Sequence, residues 1–242
     1  MVELFHSAIY QPVYNVLVFF YNTVPGQDFG IAIILTTILI KTLFIPLSKK
    51  QIESQKKMQE LQPLIKEAQK KYKDNKEEQT KAVMAIYKEN KANPLSGCLP
   101  LIVQLIVLIA IYRVIINISD AGFTINPADL YSFIMSPGSV NHLFLGFVDL
   151  TKPNYVLAVL SALAQYYQTK MLFKSQENVK VPVKDSDEPD FATIMNKQML
   201  YLGPAITLFI GITFPAALAL YWFFSTLFMI FQQAVIFRAK KA

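Results

Sequence analysis

Lys41 constrains this chain more than any other residue. It stands inside an apolar run, Phe29 to Leu47, in which nothing else is charged. As a helix, about 19 residues reach about 28 Å, close to the ~30 Å hydrocarbon core of a bilayer. A lysine near the middle of such a span costs about 2.5–3.5 kcal/mol on insertion scales. That cost is sustained only where the ammonium meets water, a partner or a substrate, or snorkels to the interface. The run therefore predicts a membrane span, and Lys41 predicts a polar feature within it.

The chain has 242 residues, 53% of them hydrophobic, and carries five such apolar stretches. This composition belongs to a polytopic membrane protein rather than a soluble domain. A net charge of +6 would suit a nucleic-acid binder, but the distribution argues otherwise. Of 23 Lys and Arg residues, 20 fall in 48–92, 170–197 and 238–242. Lys152 is the only basic residue in the other water-exposed segments. The positive-inside rule then predicts three cytoplasmic segments, an external N-terminus and a cytoplasmic C-terminus. The start, Met-Val-Glu-Leu-Phe, lacks the basic region of a cleavable signal peptide. Cys98 is the single cysteine, so no internal disulfide is expected. Leu95-Ser96-Gly97-Cys98 looks like a lipidation site, yet it lies mid-chain after a charged segment and reads better as small-residue packing.

Residues 1–28 hold an N-terminal helix. Ser7, Gln11 and Asn15 recur every four residues as a polar stripe, which predicts an amphipathic helix in the outer interface; a further span is the alternative, and Pro12 disturbs either. Span one is 29–47. Residues 48–97 predict a cytoplasmic antiparallel helical hairpin. Its seam is Ile52, Met58, Leu61, Ile65, Ala68 and Tyr72, its turn Lys73-Asp74-Asn75-Lys76, its return face Val83, Ile86 and Tyr87, and its bend Pro63. Then follow span two (98–118), an external loop (119–153), span three (154–173), a polar flexible linker (174–197), span four (198–213), a turn with span five (214–237) and a basic tail (238–242). The 16 residues of span four reach only about 24 Å, which predicts local thinning or a water-filled indentation. The fold class is all-α, with five transmembrane helices.

Polar residues gather at one depth. Thr37 lies one turn before Lys41, Gln104 sits at a comparable level of span two, Gln165 and Gln168 in the cytoplasmic half of span three, and Gln232 and Gln233 in that of span five. This pattern predicts a hydrophilic groove open to the cytosol; simple snorkelling of Lys41 is the alternative. Arg113, near the outer end of span two, reads as a snorkelling residue. Tyr221 and Trp222 fit either an outer aromatic belt or a wall facing an apolar substrate helix. Lys56, Lys57, Lys70, Lys71 and Lys73 make the hairpin a docking surface or, more plainly, a solvated charged face. No phosphate-binding G-x-x-x-x-G-K-[ST] is present, His6 and His142 lie far apart, and no span contains a carboxylate. Neither an enzyme, a cofactor nor a metal site is expected.

Four stretches together resemble the YidC/Oxa/Alb family of membrane protein insertases: Lys41-Thr42-Leu43-Phe44-Ile45-Pro46-Leu47; Met58-Gln59-Glu60-Leu61-Gln62-Pro63; Asn93-Pro94-Leu95-Ser96-Gly97-Cys98-Leu99-Pro100 with Gln104; and Phe214-Pro215-Ala216-Ala217-Leu218-Ala219-Leu220-Tyr221-Trp222. The resemblance covers essentially the whole chain and is closest to the short bacterial type. It implies a five-helix core around a hydrophilic groove, closed on the outside. Lys41 takes the place of the family's groove arginine, and Ala217 that of a frequent glycine. Thr37, Gln165, Tyr221 and Trp222 match groove or substrate-path positions. The expected partners are nascent membrane proteins, the ribosome, anionic lipid and, in some reactions, the Sec translocon, in a bacterial cell membrane. No nucleic acid is expected beyond that of the ribosome. A channel or small-solute transporter and a structural scaffold are the rival readings; five spans do not divide into two equal inverted repeats, which weighs against a transporter.

Overall fold

The computed structural model describes residues 2–93, 99–174 and 191–239. Among these residues ten α-helices dominate: α1 (Val2–Phe5), α2 (Gln11–Thr23), α3 (Phe29–Leu43), α4 (Ile45–Glu60), α5 (Gln62–Lys71), α6 (Lys76–Glu89), α7 (Leu99–Asp120), α8 (Tyr155–Lys174), α9 (Phe191–Thr213) and α10 (Ala216–Ala239). Two short strands, β1 (Leu143–Phe144) and β2 (Val148–Asp149), pair antiparallel in the loop between α7 and α8. Among the described residues, two helices are long and apolar enough to cross a membrane, α7 and α10. A third counts if α3 and the start of α4 are one broken span, while Leu200–Thr213 of α9 is a shorter apolar helix. The expected third span folds as α8, but Ser161, Gln165, Gln168 and Thr169 dilute its apolar surface.

Span one, expected as one helix over 29–47, is instead broken. The α-helix ends at Leu43, and α4 leaves at 65° to α3. Pro46 supplies the reason. It has no N–H for the helical ladder, and it disfavours the helical backbone of the residue before it. Lys41 thus sits two residues from a helix end, with Leu43, Phe44 and Ile45 exposed around the break.

The expected linker 174–197 and span four 198–213 are also divided differently. Helix α9 begins at Phe191 and contains Pro204 without ending there. Its 23 residues reach about 34 Å, but its apolar stretch is the shorter Leu200–Thr213, as expected of a short span four. Residues 175–190 of the linker, residues 94–98 with Cys98, and 240–242 of the tail lie outside the described residues.

Pro12 is accommodated by a π-helical turn, His6–Tyr10, in which the Gln11 N–H donates to the His6 carbonyl; Pro12 then falls in the first turn of α2, where a missing N–H is tolerated. Gln11 and Asn15 of the polar stripe meet the α7–α8 loop, whereas Ser7 is exposed and donates to the Glu3 carbonyl of its own segment. The Asn15 amide donates to the Asp129 carbonyl (2.8 Å) and accepts from the Tyr131 N–H (2.7 Å). Tyr14 and Tyr21 hydroxyls accept from the backbone of Asn126 and Asn141, both at 2.8 Å. Asp28 caps α3 through the Ile31 N–H and accepts from the Leu145 N–H (2.6 Å). The α7–α8 loop is thereby strapped to α2 and α3. Asn15→Leu leaves both loop groups without their partner in a buried setting, and a loss of about 1–3 kcal/mol is expected. Thermal unfolding in detergent checks this: an unchanged midpoint would mean that the strap adds nothing.

Hydrophobic packing concentrates at the same end. Tyr14, Leu17, Val18, Ile33, Val114 and Ile118 are buried there with Ile125, Val140 and Leu150 of the loop. The run Ala216–Tyr221 is wholly buried. Its small residues let α10 approach closely, and its free N–H groups at Ala216 and Ala217 donate to the carbonyls of Lys152 and Leu150. Helix α10 is therefore anchored by the loop at one end and free to present polar side chains at the other. At Gly30 the loop comes so near α3 that an added Cβ would overlap Phe144. Helices α5 and α6 form a separate helix–turn–helix whose turn is capped by Asn75, with Leu61, Ile65 and Ala68 buried.

Candidate functional site

Beyond the packed end, α3, α7 and α10 bring three distant parts of the sequence together. The Lys41 Nζ donates to Gln104 Oε1 at 2.7 Å. The Gln104 amide in turn donates to the Tyr221 hydroxyl (3.1 Å) and to Ser225 Oγ (3.3 Å). Lys41 is only 9% exposed. Among the described residues no carboxylate is within ion-pair distance of it. An ammonium has three donors, and one is bound to protein here. The arrangement is a cation held in place by a neutral amide, with donors left for an acceptor from elsewhere.

A second cluster lies around α8. The Trp222 indole N–H donates to Gln165 Oε1 (3.4 Å), and the Thr226 hydroxyl approaches the same oxygen at 3.5 Å. Helical geometry accounts for the division. Successive residues turn about 100°, so Tyr221 and Trp222 point to different neighbours, and Ser225 and Thr226 repeat the two directions one turn later. Helix α10 thus carries two parallel polar tracks, one towards Gln104 and Lys41, the other towards Gln165. The Ser161 hydroxyl ties α8 to α10 through the Ala219 carbonyl at 2.9 Å.

The predicted residues fare differently. Lys41, Gln104 and Tyr221 meet directly; Gln165 and Trp222 meet in the second cluster. Gln168 is half-buried on α8, one turn from Gln165. Thr37 is buried, but its hydroxyl donates to the Ile33 carbonyl of its own helix rather than to the cluster (2.7 Å). Ser225 and Thr226 went unnoticed in the sequence, where their spacing of four from Tyr221 and Trp222 was the available signal. Gln232 and Gln233 are buried, each with an Oε1 that has no partner. The hairpin lysines do not converge on any of this. Lys57 donates to the Lys91 carbonyl (3.4 Å), Lys71 lies over the Tyr72 ring (5.4 Å), and Lys70 and Lys73 are exposed. Lys56 is on α4, and its side chain lies outside the described residues. No cluster of three metal-ligating side chains occurs among the described residues.

Related sequences agree on what kind of protein builds such a core. The family described as 60Kd inner membrane protein matches residues 19–242. The Membrane protein insertase YidC of Oceanobacillus iheyensis is 34% identical over 215 residues, 87% of this chain and 75% of that protein. Membrane protein insertase YidC 1 of Listeria monocytogenes is 36% identical over 218 residues, 87% of this chain but 64% of its own length. The Rickettsia conorii Membrane protein insertase YidC is 32% identical over 235 residues, 94% of this chain and 38% of that protein. The chain therefore spans three quarters of one relative and less than two thirds of the others. The match runs through α3, α7 and α10, the three helices that meet at Lys41, and the chain belongs to the 60Kd inner membrane protein family, that of the YidC membrane protein insertases.

Proposed function

We propose that this chain is a membrane protein insertase, and that Lys41 is the cation that receives the polar tail of a nascent membrane protein. The observation that carries the reading is the Lys41–Gln104 contact: a buried ammonium, held at 2.7 Å by an amide, with no carboxylate beside it among the described residues. A substrate carboxylate 4 Å away gains about 1 kcal/mol in bulk water but about 4 kcal/mol at an effective dielectric of 20. The polar tail enters a groove between α3, α7, α8 and α10. Its apolar segment passes along α8 and α10, with Tyr221 and Trp222 beside its path, and leaves into lipid. Each Leu, Ile, Val or Phe at the bilayer centre contributes about −0.3 to −0.6 kcal/mol, so a full span favours insertion without nucleotide hydrolysis. The protein lowers the barrier for the tail and catalyses no covalent step.

In the same proposal five spans cross the membrane, α4 to α6 face the cytosol and the α7–α8 loop lies outside. The lysines Lys56, Lys57, Lys70, Lys71 and Lys73 meet the ribosome and anionic lipid, and the Sec translocon joins for some substrates. The test is insertion of a single-span protein with a short acidic tail into liposomes containing only this chain. Protease-protected substrate well above that of empty liposomes is expected. No insertion, together with ion conductance in the absence of any substrate, would favour a channel instead.

A further inference from the structure

The α7–α8 loop has a second property that insertion does not require. Residues 130–148 contain no Asp, Glu, Lys or Arg. Yet they expose large apolar side chains at two tips: Phe133 (78%) and Met135 (83%) at one, Leu145 and Phe147 (75%) at the other. Neither tip is a loose excursion. The first is held by the Tyr131 N–H on Asn15 and by the Met135 carbonyl, which accepts from the Asn22 amide at 2.7 Å. Asn15, Phe19 and Asn22 share one face of α2, being four and seven residues apart. The segment 131–135 is therefore anchored at both ends to that face, on which Phe19 is also exposed. The second tip is held by Asp28, which accepts from the Leu145 N–H, and by Phe144 against Gly30. Both contacts lie at the first turn of α3, where its apolar stretch begins. The charges that flank the tips are engaged: Asp129 with His6 and Asn126, Asp149 with Thr151 and Lys152.

We propose that this loop is a lipid-contact surface whose two apolar tips, Phe133/Met135 and Leu145/Phe147, are seated in the membrane leaflet on that side. Phe and Leu side chains presented at the level where a span begins match the faces that interfacial elements bury at the boundary between headgroups and acyl chains. The same side chains held in water would form an exposed apolar patch. With no Lys or Arg in the segment, and with its one histidine, His142, packed on Phe123, the partner is the interfacial and acyl region of lipid rather than an anionic headgroup. The strapped loop then fixes the height of the packed end in the bilayer, which sets how far the polar network around Lys41 lies from the opposite surface.

The test uses the full chain with Cys98→Ser, spin-labelled at Phe133→Cys or Phe147→Cys, in vesicles of phosphatidylethanolamine and phosphatidylglycerol. Collision rates with oxygen, which concentrates in lipid, are compared with those of a water-soluble nickel chelate. Lys152→Cys, exposed on the same loop, is the reference. Both tip labels are expected to favour oxygen severalfold more than the reference does. A ratio equal to the reference places the tips in water and overturns the proposal. Labels shielded from both reagents are covered by protein, a second copy or another partner, and overturn it equally.

Discussion

Lys41→Met is expected to abolish insertion of an acidic-tailed single-span protein into liposomes, while Lys41→Arg retains it. Methionine keeps most of the aliphatic stem and removes only the charge, so packing around residue 41 is preserved. Removing an attraction of about 2–4 kcal/mol from the rate-limiting passage of the tail slows it by about 30- to 1,000-fold. Arginine is charged at any working pH and can hold Gln104 Oε1 while offering a fork to a carboxylate. Stability moves the other way. A buried ammonium with one protein partner is a burden on the fold, so Lys41→Met should melt at or above the wild-type temperature. A variant that is folded, at least as stable and inactive would separate function from folding. If Lys41→Met inserts acidic and neutral tails at the wild-type rate, the electrostatic step is wrong.

Gly211→Val is expected to be the most damaging change outside the polar network. A Cβ at position 211 would lie 2.7 Å from the Ala158 Cβ and 2.8 Å from its Cα, backbone that cannot swing aside. Small residues at such crossings let membrane helices approach closely, and here they join α8 to α9. Overpacking costs about 1–3 kcal/mol, and valine adds two further methyl groups. Because α8 also carries Gln165, displacing it should loosen the Trp222 contact and reduce insertion along with stability. Ala158→Gly in the same chain removes one of the two clashes and should recover part of the loss. Melting in detergent of the two single variants and the double variant gives the coupling, expected at about 0.5–3 kcal/mol. Strict additivity would show that the helices do not touch at this pair.

Much of the protein was legible in its residues alone. The uncompensated Lys41 in an apolar run, the asymmetric placement of lysines and the four motifs sufficed for the membrane class and the family. Those features depend on composition and local order, which a linear sequence carries directly. The membership of the polar network was legible in part, since Lys41, Gln104 and Gln165 are polar residues in apolar surroundings. Ser225 and Thr226 were not legible, because a hydroxyl inside a membrane helix commonly bonds its own backbone, as Thr37 does. Only the relative rotation of α7, α8 and α10 decides which hydroxyl faces a neighbour.

Tertiary structure also decided three larger matters. The 65° break at Pro46 moved Lys41 from well inside a span to a helix end; a proline kink depends on what replaces the lost hydrogen bond. Helix α9 reached back to Phe191 through residues too polar to read as span. The stripe Ser7–Gln11–Asn15 resembled a water-facing surface, yet Asn15 is buried against loop backbone more than 100 residues away. A polar side chain satisfied by water and one satisfied by a distant carbonyl look the same in sequence. Periodicity and charge report what each segment needs, whereas the partner that meets the need is set by the packing of the whole chain.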